Sequence, residues 1–114
     1  MAFTEIEIHK INKFVGALCK KRSPGHIRDK LRYEYKIENQ DVILFEIRPR
    51  WNAPDEQTRL PAAKLKFVRS QNIWKLFWQK ADMKWHKYGP FEPSRDLAEL
   101  IAEIDTDPYG CFFG

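Results

Sequence analysis

The chain has 114 residues, 43% hydrophobic and 32% charged, a balance that suits one globular domain over residues 1–114 and excludes a disordered or fibrous chain. No apolar run approaches the roughly 20 residues that span a bilayer, and MAFTEIEIHK lacks a basic region followed by an apolar one, so neither a membrane partner nor a signal peptide is expected and the cytoplasm is the default compartment. The formal charge of +4 is unevenly spread: residues 1–89 hold 19 of the 20 Lys and Arg against 10 acids, net +9, whereas residues 90–114 hold Arg95 against six acids, net −5.

The first element is a helix over TEIEIHKINKFVGALCKKR. Thr4 and Glu7 have capping-box spacing, and Ile8, Ile11, Phe14, Val15 and Leu18 form an apolar stripe at helical period. Lys20, Lys21 and Arg22 close it where positive charge suits the helix dipole, and SPGH breaks it.

From Leu31 the period falls to two. Leu31, Tyr33, Tyr35 and Ile37 alternate with Arg32, Glu34 and Lys36; beyond the turn ENQD, Ile43, Phe45 and Ile47 alternate with Leu44, Glu46 and Arg48, which predicts a hairpin. RWNAPDEQTRLP, with its two prolines, reads as a loop. A third strand carries Leu65 and Phe67, and NIWKLFWQKADMKWHKYGP supplies two more around a turn at Ala81-Asp82. The last element, SRDLAELIAEI, is a helix with Ser94 as N-cap and Leu97, Leu100, Ile101 and Ile104 as its stripe. The order α-β-β-β-β-β-α predicts an α+β, two-layer sandwich, with both helices on one face of a five-stranded antiparallel sheet and the other face in water.

Alternation then assigns faces. With a two-residue turn, Trp78 falls opposite Trp85 and Phe77 opposite His86, so Trp74, Trp78 and Trp85 are expected beneath the helices with Phe45, Ile47, Phe67, Leu76, Phe14 and Ile101. The same rule sends Arg32, Glu34, Lys36, Glu46, Arg48, Arg50, Lys64, Lys66, Lys75, Phe77, Lys84, His86 and Tyr88 outward. Basic groups dominate that set. It is either a solvated face whose charges keep the sheet soluble or a surface for phosphates. On the second reading Arg48, Arg50, Lys66, Lys75, Lys84 and His86 contact a polyanion, and Phe77, Tyr88 and Trp51 stack on unpaired bases.

Four stretches, KRSPGHIRDKL, FEIRPRW, KWHKYGP and DPYGCFFG, resemble a family of small bacterial proteins catalogued as domain of unknown function number three thousand and twenty-four, over nearly the whole chain. The resemblance implies a small free-standing bacterial protein and brings no activity, ligand or catalytic residue with it.

Other chemistry is thinly supported. Arg48 and Arg50 present two planar forks suited to phosphate or carboxylate, or ion pairs with Glu34, Glu46 or the acidic C-terminal helix. A five-residue connection in the first hairpin would set Glu34 opposite Glu46 and assemble a carboxylate pair for Mg²⁺-dependent phosphodiester chemistry; a three-residue connection would instead pair Arg32 with Glu46. His9, His26 and His86 have no ligand spacing, Cys19 and Cys111 form no motif, and neither a metal nor a cofactor is expected. The expected function is a non-enzymatic binding module for nucleic acid or another polyanion. The second reading is a self-assembly or protein-interaction module, a homodimer through an edge strand or the aromatic tail, although a tail so apolar is expected to fold back onto its own core.

Overall fold

A computed structural model describes residues 3–26, 30–50, 52–80, 82–89 and 93–113. Helix α1 (Glu5–Lys21) precedes strands β1 (Arg32–Glu38), β2 (Asp41–Arg50), β3 (Ala53–Val68), β4 (Ile73–Gln79) and β5 (Trp85–Lys87), and helix α2 (Leu97–Thr106) follows. The sheet is an antiparallel meander in the order β1-β2-β3-β4-β5. The α+β architecture is the one the sequence predicts, with one change of element: most of the expected loop RWNAPDEQTRLP is the first half of β3, in which Ala53 and residues 57–61 pair with the end of β2 across a register shift at Pro49 and Arg50 that leaves residues 54–56 without a partner on β2.

Helix α1 begins as a capping box. The Thr4 hydroxyl accepts from the Glu7 N–H at 3.2 Å and the Glu7 carboxylate accepts from the Thr4 N–H at 2.8 Å, an arrangement typically worth about 1 kcal/mol. Arg69 adds a two-pronged pair to Glu7 at 2.9 and 3.0 Å, pinning the helix start to the β3–β4 turn. Ile11, Val15, Leu18 and Cys19 are buried, whereas Ile8 is exposed. Helix α2 is capped by Asp96, whose carboxylate accepts from the Ala98 N–H at 3.0 Å. Ser94, the expected cap, instead bridges to Trp74 through two backbone hydrogen bonds, and its hydroxyl accepts from the Asp96 N–H.

Both helices cover one sheet face. Tyr33, Val42, Leu44, Ala63, Leu65, Phe67, Trp74, Leu76 and Tyr88 line it and pack with Ile11, Val15, Leu18, Leu97, Leu100 and Ile104 in a single core. Between the ends of the helices, Arg22 donates to the Asp105 carboxylate at 3.2 Å and Lys21 pairs with the same group. The tail folds back as expected: Phe112 packs on Tyr88 at 4.9 Å, Phe113 meets Tyr33 edge-on at 5.1 Å, and both backbone N–H groups donate to Asp107.

Two turn lengths reverse the expected faces. Glu38 pairs with Asp41 across a two-residue turn in which Asn39 takes φ 55°. Val42 and Leu44 therefore face the helices, while Ile43, Phe45 and Ile47 face away, opposite Lys36, Glu34 and Arg32. The β4–β5 turn is one residue longer than expected, so Gln79 pairs with Trp85, Trp78 with His86 and Phe77 with Lys87. Trp74 is buried and Trp78 is partly buried against the core, as expected, but Trp85 lies on the helix-free face. Phe45 and Ile47 likewise leave the helix-covered core, although Ile47 remains buried, with Arg32 and Arg59 as cross-strand neighbours. A bulge at Ala62, between the pairs Leu44–Ala63 and Phe45–Pro61, turns Pro61 to the helix-free side.

Candidate polyanion interface

The helix-free face divides into two halves. On β1 the cations are neutralised locally: Arg32 pairs with Glu34 at 2.7 Å and Lys36 with Glu38 at 3.4 Å. Across β3, β4 and β5 one is, Lys64 by Asp41 of β2, and the others are not. Residues 64–68, 73–79 and 85–87 contain no carboxylate, and their outward positions hold Lys64, Lys66, Lys75 and Lys87 with Phe77 and Trp85. Lys66, Lys75 and Lys87 have no ion-pair partner among the described residues, and Lys64 is 4.0 Å from Asp41 at the neighbouring strand's start.

The aromatics are interleaved with these cations. Lys64 Nζ sits 5.5 Å from the centroid of Phe77 and 5.8 Å from that of Trp85, and Lys36 Nζ sits 5.4 Å from that of Phe45. These are cation–π contacts, which draw the ammonium groups toward the ring faces. The acids of α2 lie on the other side of the sheet. Asp105 is occupied by Lys21 and Arg22, which hold its carboxyl below the ordinary range, chiefly through the Lys21 hydrogen bond. Glu103 accepts from the Tyr88 hydroxyl at 2.7 Å. The acids of α2 therefore do not neutralise the lysines of the opposite face, where Asp41, across from Lys66 and 4.0 Å from Lys64, is the carboxylate beside the β3–β5 half.

Of the residues expected at the site, Lys66, Lys75 and Phe77 are on this face. Arg48 is not. It follows Glu46 on the helix side of a ribbon that runs beyond the helices, and the two are ion-paired. Arg50, at the ribbon's end, pairs with Glu56 at 2.9 Å. Lys84 belongs to the β4–β5 turn, where its carbonyl accepts from the Lys80 N–H. His86 faces the helix side opposite Trp78 and meets Asp82 at 2.9 Å. Tyr88, expected as a stacking surface, is fully buried in the core, where burial and then the Glu103 carboxylate push its hydroxyl pKa up. Trp51 lies outside the described residues. Glu34 and Glu46 lie on opposite faces, because Tyr33, not Glu34, pairs with Glu46; the carboxylate pair required for metal chemistry is not assembled.

Lys87, Trp85 and Phe45 were absent from the expected set. Counting Glu38 to Asp41 as a two-residue turn would have recovered Phe45, since asparagine suits the left-handed position Asn39 occupies. Nothing in KADMK signals that Met83 takes φ 64°, and that residue sets the phase of Trp85 and Lys87.

A separate hollow of about 490 Å³ lies on the helix side between the starts of α1 and α2, floored by Phe14, Phe67 and Trp74. Its carboxylates are already engaged, Glu7 by Arg69 and Thr4, Asp96 by the α2 cap. No helix is long and apolar enough to cross a membrane.

No curated protein and no solved structure matches the chain. One family model does, described as Domain of unknown function (DUF3024), over residues 3–114. With essentially its whole length matched, the chain belongs to the DUF3024 family.

Proposed function

We propose that the protein is a non-enzymatic module that binds single-stranded nucleic acid on the β3–β5 half of its helix-free face. The observation that supports this is the interleaving of Lys64, Lys66, Lys75 and Lys87 with Phe77 and Trp85 on a stretch of sheet without a carboxylate. Lysines on that pattern neutralise phosphates, and the rings offer sequence-tolerant stacking for splayed bases, each stack worth roughly 1–3 kcal/mol. A duplex suits the face less well. A DNA major groove admits a helix or a two-stranded ribbon, whereas this surface is a broad sheet of the kind that receives unpaired bases. Cys19 is buried and both cysteines are free, which suits the reducing cytoplasm, and the family resemblance favours a bacterial one.

Fluorescence anisotropy with labelled oligo(U), oligo(dT) and a matched duplex tests the reading. The single strands are expected to bind more tightly than the duplex. Their affinity should fall with salt at a slope of about −2 to −3, three to four phosphates at about −0.7 each. Lys66→Glu with Lys75→Glu is expected to weaken binding at least tenfold and flatten the slope. Equal binding of the parent and the double variant, at the same salt dependence, would leave this face as a merely solvated sheet.

A further inference from the structure

Helix α1 presents a second row of side chains beside its buried stripe. Ile11, Val15, Leu18 and Cys19 enter the core. Next to them Ile6, Lys10 and Phe14 follow one another at four-residue steps, which sets them along one ridge of the helix. All three line the hollow between the starts of α1 and α2, and none of them is buried. Ile6, at 73%, is the most exposed large apolar side chain among the described residues. A scattered surface isoleucine is ordinary; one that walls a hollow floored by aromatic rings is apolar surface gathered in one place.

The hollow has the make-up of a small-molecule site. Its volume is about 490 Å³, within the roughly 300–1,000 Å³ of sites that combine an apolar lining with a few polar groups. Phe67 and Trp74 of the sheet form the floor, and Ile6 and Phe14 form one wall. The free polar groups are mostly cationic. Lys10 on α1 and Arg95 just before α2 have no ion-pair partner among the described residues, and both are exposed. Of the two carboxylates, Glu7 is neutralised by Arg69, which donates to it at 2.9 and 3.0 Å. Lys10 and Arg95 thus stand against Asp96 alone, and one positive charge is left over.

We infer that the hollow binds a small amphipathic acid. Its carboxylate is held by Lys10 and the planar fork of Arg95, and its aromatic or branched apolar body lies against Ile6, Phe14 and the Trp74 floor. A neutral analogue of the same shape keeps the apolar contacts and loses both charged ones. The site lies on the helix side of the sheet, so it is independent of the nucleic-acid reading.

Phenylbutyrate and its neutral counterpart phenylbutanol are the probes, titrated to millimolar concentration into the full chain while backbone amide and indole N–H chemical shifts are followed. The acid is expected to shift Ile6, Lys10, Asn72, Leu97 and the Trp74 indole, and to bind roughly tenfold more tightly than the alcohol. Lys10→Gln with Arg95→Gln, both at exposed positions, should erase that preference and leave the affinity for the alcohol unchanged. Ile6→Ser should weaken both probes. Lys66→Glu with Lys75→Glu, on the opposite face, should bind the acid as the parent does. Equal binding of acid and alcohol by the parent overturns the inference, as does a preference for the acid that survives in the Lys10 and Arg95 double variant. Shifts confined to the lysine face, or no shift around the hollow at millimolar acid, overturn it equally.

Discussion

Lys66 on β3 and Lys75 on β4 stand directly opposite one another on the face that no helix covers. Like charges in direct cross-strand register destabilise a sheet, by up to about 1 kcal/mol. A ligand that supplies phosphates removes that repulsion, and the free protein bears it. Lys75→Glu should therefore make the free protein more stable to urea by about 0.5–1 kcal/mol. The same change should weaken oligonucleotide binding and reduce the salt slope by about 0.7. Denaturation and anisotropy on one sample read both. A variant that is stabilised yet binds unchanged removes Lys75 from the interface.

The tryptophans divide in the same way. Trp74 is buried, stacked on Phe3 at 5.6 Å and tilted against Phe67 at 5.0 Å. Trp85 is half-exposed beneath Lys64. Trp74→Ala is expected to cost about 3–5 kcal/mol, the range for a large core aromatic. Trp85→Ala should cost less than about 2 kcal/mol, having less apolar area to lose. Acrylamide should quench Trp85 readily and Trp74 little, and a bound oligonucleotide should protect Trp85. Equal costs for the two substitutions would contradict the face assignment.

The sequence makes the elements legible because periodicity reports them directly, in the stripes of α1 and α2 and the alternation of Arg32–Ile37. Faces are harder, because each depends on a turn of uncertain length. In β2 the run Val42-Ile43-Leu44-Phe45 is apolar in either phase, so only the turn at Asn39-Gln40 decides which pair enters the core. In β5 a single extra turn residue exchanges Trp85 with His86 and sends Tyr88 inward. Lys66, Lys75 and Phe77 kept their side because Lys64–Val68 and Ile73–Gln79 alternate without ambiguity. The long arm of β3 was hidden by Pro54 and Pro61, which read as loop residues and are tolerated in a strand whose far edge is open.

Acid should weaken the join between the helices. Hydrogen bonding to Lys21, then the charges of Lys21 and Arg22, depress the Asp105 carboxyl below its ordinary value of 3.8. A depressed carboxylate contributes stability that is present above the unfolded value and is lost as pH falls through the folded one. Glu7, lowered from 4.5 chiefly by its hydrogen bond from Arg69, acts in the same direction at the other end of α1. Stability is thus expected to hold from neutrality down to about pH 5 and to fall below about pH 4. Asp105→Asn should cost about 1.5–2 kcal/mol at pH 7, the low end of the range for a hydrogen bond to a charged group, and almost nothing at pH 2. An equal cost at both pH values would assign the loss to packing.

The tail provides the most discriminating stability test, because one residue serves it in two separable ways. Asp107 ends α2 in the left-handed region at φ 43°, and its carboxylate accepts from the N–H groups of Phe112 at 3.1 Å and Phe113 at 2.9 Å. Those bonds hold Phe112 against Tyr88 and place Phe113 beneath the Arg22 guanidinium, 3.9 Å from the ring centroid. Asparagine tolerates the left-handed backbone and keeps one acceptor, so Asp107→Asn is expected to cost less than about 1 kcal/mol. Glycine keeps the backbone freedom and loses both acceptors, a cost of about 1.5–3 kcal/mol. Alanine loses the acceptors and adds about 1–2 kcal/mol of left-handed strain. The order of stability in urea should therefore be Asp, Asn, Gly, Ala, with near-UV circular dichroism from Tyr88 and Phe112 fading in step. Equal stability of Asp107→Gly and Asp107→Ala would mean that the backbone relaxes when the carboxylate is gone, and that the left-handed cap is a consequence of the tail's hydrogen bonds and not a constraint of its own.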